Sequence, residues 1–158
     1  MVHHLRTQED SQHILDFFNG FHDGFIHKLV LRSHDVFTKD GPEITDIAHQ
    51  LTGRFDVRID IAHYNYGQRT QPHDRIVRCF FRNVRDFHFD LRSTKSFEWP
   101  LKNVELTAGD RVLESGGLEP CFALVMMWGR LVDQSWDVRK EHIFTFEEAE
   151  FEERTLSV

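Results

Sequence analysis

Cysteine is scarce in this chain: Cys79 and Cys121 are the only two among 158 residues. Two thiols so far apart, each inside an apolar run, exclude a disulfide framework or a zinc ribbon and read as reduced, buried space-fillers. Long hydrophobic runs are also missing. The longest, Cys121 to Trp128, falls far short of the roughly 18 residues a transmembrane helix needs. The opening Met1-Val2-His3-His4-Leu5-Arg6 lacks the basic start and apolar centre of a secretory signal, so a cytoplasmic location is expected. There is no repeat at a fixed period, no low-complexity tract and no linker long enough to divide the chain. Tyrosine is nearly absent too, with two residues against fifteen phenylalanines, so the core is expected to be aromatic and to lack polar tips.

What remains is the composition of an ordinary globular domain. At 18.8 kDa, 40% hydrophobic and 28% charged, residues 1–158 fit one domain with one core. The net charge of −7 disfavours non-specific attraction to nucleic acid or to anionic lipid, so neither is expected as a partner. The charge is polarised: from Glu141 onward six glutamates face the single Arg154.

Apolar periodicity gives the element pattern. Asp10 or Ser11 can cap a short helix carrying Ile14, Leu15, Phe17 and Phe18 on one stripe, with Gly20 as its carboxyl-terminal stop. Phe25 to Arg32 is apolar on both parities and fits a strand buried on both faces or a helix, with strand preferred. Ile44, Ile47, Ala48 and Leu51 suggest a turn or two of helix after the Asp40-Gly41-Pro42 turn. Phe55, Val57, Ile59 and Ile61 alternate with polar residues as a strand with one wet face, and Arg75 to Asn83 forms its hairpin partner. Phe87, Phe89 and Leu91 suggest a third strand. Leu101, Val104 and Leu106 are ambiguous, with Ala108-Gly109-Asp110 marking a connection. Phe122 to Trp128 predicts a central strand covered on both faces. His142, Phe144 and Phe146 begin a final strand whose parity changes near Glu147 to Ala149, the mark of a bulge or bend. Many short strands and few helices predict a mainly β fold, an antiparallel β-sandwich or barrel with a short N-terminal helix.

Chemistry-bearing residues are scattered. None of the eleven histidines shows the local spacing of a metal site, and His22-Asp23, His34-Asp35 and His73-Asp74 read as turn residues. No nucleophile elbow, phosphate loop or dinucleotide fingerprint is present, and no catalytic residue, cofactor or metal site is assigned. If histidines converge only in space, as in a metal-dependent or small-ligand β-barrel enzyme, His22, His63 and His88 are the candidates. His63-Tyr64-Asn65-Tyr66, with Arg69, closes the best strand and holds both tyrosines, which suits a partner-binding loop; an ordinary hairpin end explains it as well. Arg75, Arg78, Arg82, Arg85 and Arg92 mix with phenylalanines as in single-strand nucleic-acid binders, but the strand period separates them into a wet arginine face over an aromatic core. That face could pair with the acidic carboxyl-terminal strand, within the chain or between copies. The glutamates from Glu147 to Glu153 read as a charged sheet edge.

In Asn19-Gly20-Phe21-His22-Asp23-Gly24-Phe25-Ile26, two glycines flank a His-Asp pair where the chain passes from helix to strand. Phe21-His22-Asp23-Gly24-x-Ile26 resembles the Phe-His-Asp-small-x-Ile opening of families of uncharacterised bacterial proteins, some similar to immunity proteins of polymorphic toxin systems. Phe81-Arg82-Asn83-Val84 resembles a second recurring phrase, while the stretch Gly41 to Gly53 departs from the shorter pattern. The resemblance implies a compact β fold that binds a partner and transfers no catalytic residue. The expected function is thus a non-enzymatic interaction protein, with a protein partner or a homo-oligomer ahead of the metal- or ligand-dependent enzyme.

Overall fold

The structure is a computed structural model, described over residues 1–43, 54–62, 75–89 and 99–155. It is mainly β, with two antiparallel sheets and one short helix, and the described strands close no barrel. The strands are β1 (Val2–Leu5), β2 (Phe25–Ser33), β3 (Val36–Thr38), β4 (Gly41–Glu43), β5 (Phe55–Ala62), β6 (Arg75–Val84), β7 (Leu101–Val112), β8 (Leu118–Val132), β9 (Ser135–Phe146) and β10 (Glu148–Thr155). The five-stranded sheet has the order β1-β10-β6-β5-β2 and the three-stranded sheet β7-β8-β9, while β3 and β4 form a separate hairpin.

Period-two alternation explains the core. Val57, Ile59 and Ile61 of β5, Val77, Cys79 and Phe81 of β6, and Ala149 and Phe151 of β10 are buried on the inner face of the large sheet. Leu124, Met126 and Trp128 of β8 meet them from the small sheet, with Phe144 and Phe146 of β9. The aromatic core follows from the phenylalanine content. Phe81 lies edge-on to Phe144 and Phe146, both at 4.9 Å, and to Phe151 at 5.8 Å. It therefore joins the two sheets through quadrupole-favoured contacts.

Several sequence expectations need correction. The helix α1 spans Gln8–Phe17 and is capped by Thr7, not by Asp10 or Ser11. Asp10 is the third helical residue and completes a capping box, its carboxylate accepting from the Thr7 and Arg6 amides at 2.8 and 3.0 Å. Ser11 instead points inward and donates to the Leu106 carbonyl. β2 is an edge strand among the described residues, not one buried on both faces. Arg85 to Phe89 makes only a single bridge, Arg85 to Thr145, and a hydrogen bond from the His88 amide to Ile143, so no third strand forms over the described part of that stretch. Ala108-Gly109-Asp110 continues β7, since each residue is paired with β8. β10 is no edge: it lies between β1 and β6. The helix expected at 44–51 lies outside the described residues.

The parity change at Glu147 is where the chain leaves one sheet for the other. Arg111 is buried there. It spans from Glu119 (Nε to Oε2, 2.6 Å) to the Asn83 carbonyl at 3.2 Å and the Thr145 hydroxyl at 3.4 Å. Asn83 also donates its side-chain amide to Glu147, so the corner is tied by a polar network instead of by apolar packing.

Candidate functional site

Three regions of the described surface could carry chemistry or recognition. The first grows from the Asn19–Gly24 segment singled out in the sequence. After α1 the chain makes a turn in which Asn19, Gly20 and Phe21 all have positive φ (50°, 60° and 57°), and Asp23 follows at 61°. Asn and Asp tolerate this region, but for phenylalanine it is an outlier. Phe21 is held there by burial against Phe18, stacked at 5.2 Å, and by a short backbone clamp. The clamp is reciprocal: Asp23 donates to the Leu101 carbonyl and Leu101 to the Gly24 carbonyl, both at 2.7 Å. His22 is thereby half-buried beside Asp23, with Nδ1 to Oδ2 at 3.2 Å.

This turn ends an open groove of about 600 Å³ between α1 and β7. Its floor is Asn103, Glu105 and Thr107, and Gln12, Asp16 and Asn19 stand on the helical side. The edge of β7 is covered at both ends, by the Leu101–Gly24 clamp and by Gln8, whose amide donates to the Leu106 carbonyl and accepts from the Ala108 amide. Gln8 thus replaces a neighbouring strand.

The second region is the outer face of the large sheet. Arg78 reaches Asp60 through two bonds, Nε to Oδ1 at 3.1 Å and Nη2 to Oδ2 at 3.3 Å, and Arg58 Nε lies 3.4 Å from the same carboxylate. Arg82 pairs with Glu148 at 3.3 Å and Glu150 at 3.6 Å, and Arg75 with Glu153 at 3.4 Å. The arginine face therefore pairs with the acidic last strand within the chain, leaving little unneutralised charge for a polyanion.

The third region is the outer face of the small sheet, which the sequence reading placed under cover. The inner parity of β8 is buried from Phe122 to Trp128; on the other parity Ala123, Val125 and Met127 are only half-buried, between the buried Cys121 and Gly129. Farther along, the β8–β9 hairpin carries Leu131 beside Trp136 and Gly129 beside Val138. Leu131 is 61% exposed and Trp136 56%. Lys102 lies over the Trp136 ring at 3.1 Å, and its stem fills the space above Gly129. Lys140 crosses the sheet to Glu105 at 3.0 Å.

The residues expected to form sites fare differently. His63, Tyr64, Asn65, Tyr66 and Arg69 lie outside the described residues. His22 sits at the groove, whereas His88 is exposed on the segment beside β9. Among the described residues no group of three His, Cys, Asp or Glu side chains is placed to hold a metal ion. Both cysteines are free, and burial pushes both thiols up, Cys79 the more strongly. Neither is poised as a nucleophile at neutral pH. No helix among the described residues is long and apolar enough to cross a membrane. The exposed Leu131, Trp136 and Val138 were missed because Trp136-Asp137-Val138 reads as ordinary strand alternation, and only pairing with Leu131 makes it a patch.

No protein-family model matches this chain, and neither the curated proteins nor the solved structures include a significant match.

Proposed function

We propose that this protein works by binding another polypeptide and not by catalysis, and that the outer face of the β7-β8-β9 sheet is its docking surface. The observation that carries this reading is the exposed row of Leu131, Trp136 and Val138 on the β8–β9 hairpin. Aromatic groups flanked by aliphatic ones and rimmed by Lys102, Lys140 and Glu105 have the composition of an interface centre with a polar border. The resemblance at Phe21-His22-Asp23-Gly24-x-Ile26 supports an immunity-like form of the reading, in which the partner is a protein met in the cytoplasm. Two unpaired, buried thiols are compatible with that reducing compartment.

Native mass spectrometry of gently purified protein tests it. The expected result is a complex containing at least two polypeptides that is lost in Trp136→Glu while the circular dichroism spectrum is unchanged. A single chain retaining a metal or small molecule would overturn it in favour of the enzyme reading.

A further inference from the structure

We infer that the contact between β1 and α1 is an acid-sensitive latch: His3 holds the strand against the helix while its imidazole is neutral and releases it on protonation. This device is independent of the docking surface proposed above. Parity is the first observation. His3 is paired with Phe151 and Leu5 with Ala149, and Leu5, Ala149 and Phe151 are all buried, so His3 occupies a core-facing position of an edge strand. An imidazole stands there where its neighbours are apolar. What covers it is α1. The His3 ring lies 4.4 Å from the Phe17 ring, 5.5 Å from Phe18 and 5.9 Å from His13, centroid to centroid. Among the described residues the ring makes no hydrogen bond or ion pair, so strand and helix meet here through rings alone.

Such a contact tolerates charge poorly. A proton on His3 places a cation against two phenyl rings and a second imidazole. Burial opposes that charge most, followed by His13 of α1, the amino group of Met1 and, more weakly, His4. Glu153 of β10 favours it but is already paired with Arg75 at 3.4 Å, and the His3 pKa lies below its ordinary value. A histidine depressed on folding contributes stability above its unfolded pKa of about 6.5 and loses it as pH falls through the lower folded value. His4 responds in the opposite sense. Its Nδ1 lies 3.6 Å from Glu150 on the other face of the sheet, an exposed pair that protonation of His4 strengthens only slightly. β1 is an element that so small a change can move. It has four residues and, among the described strands, pairs with β10 alone, so it opens more cheaply than the strands inside the sheet. Its release bares the edge of β10 and the ring of Phe18.

Amide hydrogen exchange of the full chain, read by NMR and expressed as protection over the unstructured rate at each pH, tests this. Between about pH 7.5 and about pH 5.5 the β1 amides paired with β10 should lose protection by at least about 3-fold, while β5 and β6 keep theirs. His3→Phe retains the ring contacts without the titration and should abolish the loss. His13→Gln should reduce it, and His4→Gln should leave it in place. Without any variant, the His3 ring resonances of the wild-type chain should titrate below the ordinary value of about 6.5. A His3 ring titrating at or above that value, β1 protection that is flat across this range, or a loss that persists in His3→Phe overturns the inference.

Discussion

Two residue contacts, one at Gly20 and one at Arg111, bear directly on stability. Gly20, at φ 60°, has the Asn103 side-chain oxygen only 2.7 Å from where a Cβ would sit. Gly20→Ala should therefore cost roughly 1–2 kcal/mol for the left-handed backbone plus the displacement of Asn103. In urea unfolding, part of that loss should return in Gly20→Ala/Asn103→Gly; no recovery would mean the contact contributes nothing. The second place is the Arg111–Glu119 pair. Arg111 is 6% exposed, whereas the Glu119 side chain reaches water. Glu119→Ala leaves a buried guanidinium with, among the described residues, the Asn83 carbonyl and Thr145 hydroxyl, while Arg111→Met leaves a carboxylate that can turn outward. Glu119→Ala should thus be the more harmful, by about 2–3 kcal/mol below wild type, and the reverse order in thermal melts would refute the account.

At the scale of elements, the start of α1 shows how a short polar pattern outweighs an apolar one. Thr7-x-x-Asp10 is a capping box, and its recognition would have set the helix start at Gln8, three residues before Ser11. The Arg6 amide, with Thr7, holds the Asp10 carboxyl below its ordinary range. A carboxyl depressed on folding contributes stability above its unfolded pKa of about 4 and loses it as pH falls through the lower folded value. Asp10→Asn keeps an acceptor but does not titrate, so its stability should fall less steeply with acid than that of the wild type. Some slope should remain from Glu119, which Arg111 holds low in the same way. Thr7→Ala should cost about 1 kcal/mol at neutral pH and less in acid, because the Thr7 side chain also helps to hold the Asp10 carboxyl low. Denaturant midpoints across the acid range check both.

The strands were legible for related reasons. β5 alternates from Val57 to Ile61 and Val77, Cys79 and Phe81 of β6 answer it, so their pairing could be read despite the irregularity between Phe55 and Val57. β7 could not, because a bulge between Leu101 and Asn103 shifts the apolar parity from Leu101 to Val104 and Leu106, and because Gly109 within a paired strand mimics a turn. Phe87 and Phe89 alternate like a strand yet pack on Phe144 and Trp128 from a segment joined to β9 by few hydrogen bonds. Periodicity records which side chains are buried, not whether their backbone is paired. The candidate surface was the least legible, since a patch made by Leu131, Trp136 and Lys102 depends on register between three strands.

For the whole molecule, the connection between the sheets decides how it unfolds. β9 runs into β10 through Glu147, the Arg85–Thr145 bridge joins the end of β6 to β9, and Phe81 touches rings from both β9 and β10. Neither sheet buries its inner face without the other, so the strands of these two sheets should unfold in one cooperative step. Phe81→Ala removes the ring that bridges them and should cost about 3–5 kcal/mol, a large share of the stability of a domain this size. Hydrogen exchange under mild urea distinguishes this from local damage. The variant should lose protection in β8 and β9 in step with β5 and β6, although Phe81 belongs only to the larger sheet. If β7-β8-β9 instead keeps its protection while the larger sheet opens, the small sheet holds itself together through its own long hairpins, and the shared aromatic core is not what makes the two sheets one cooperative unit.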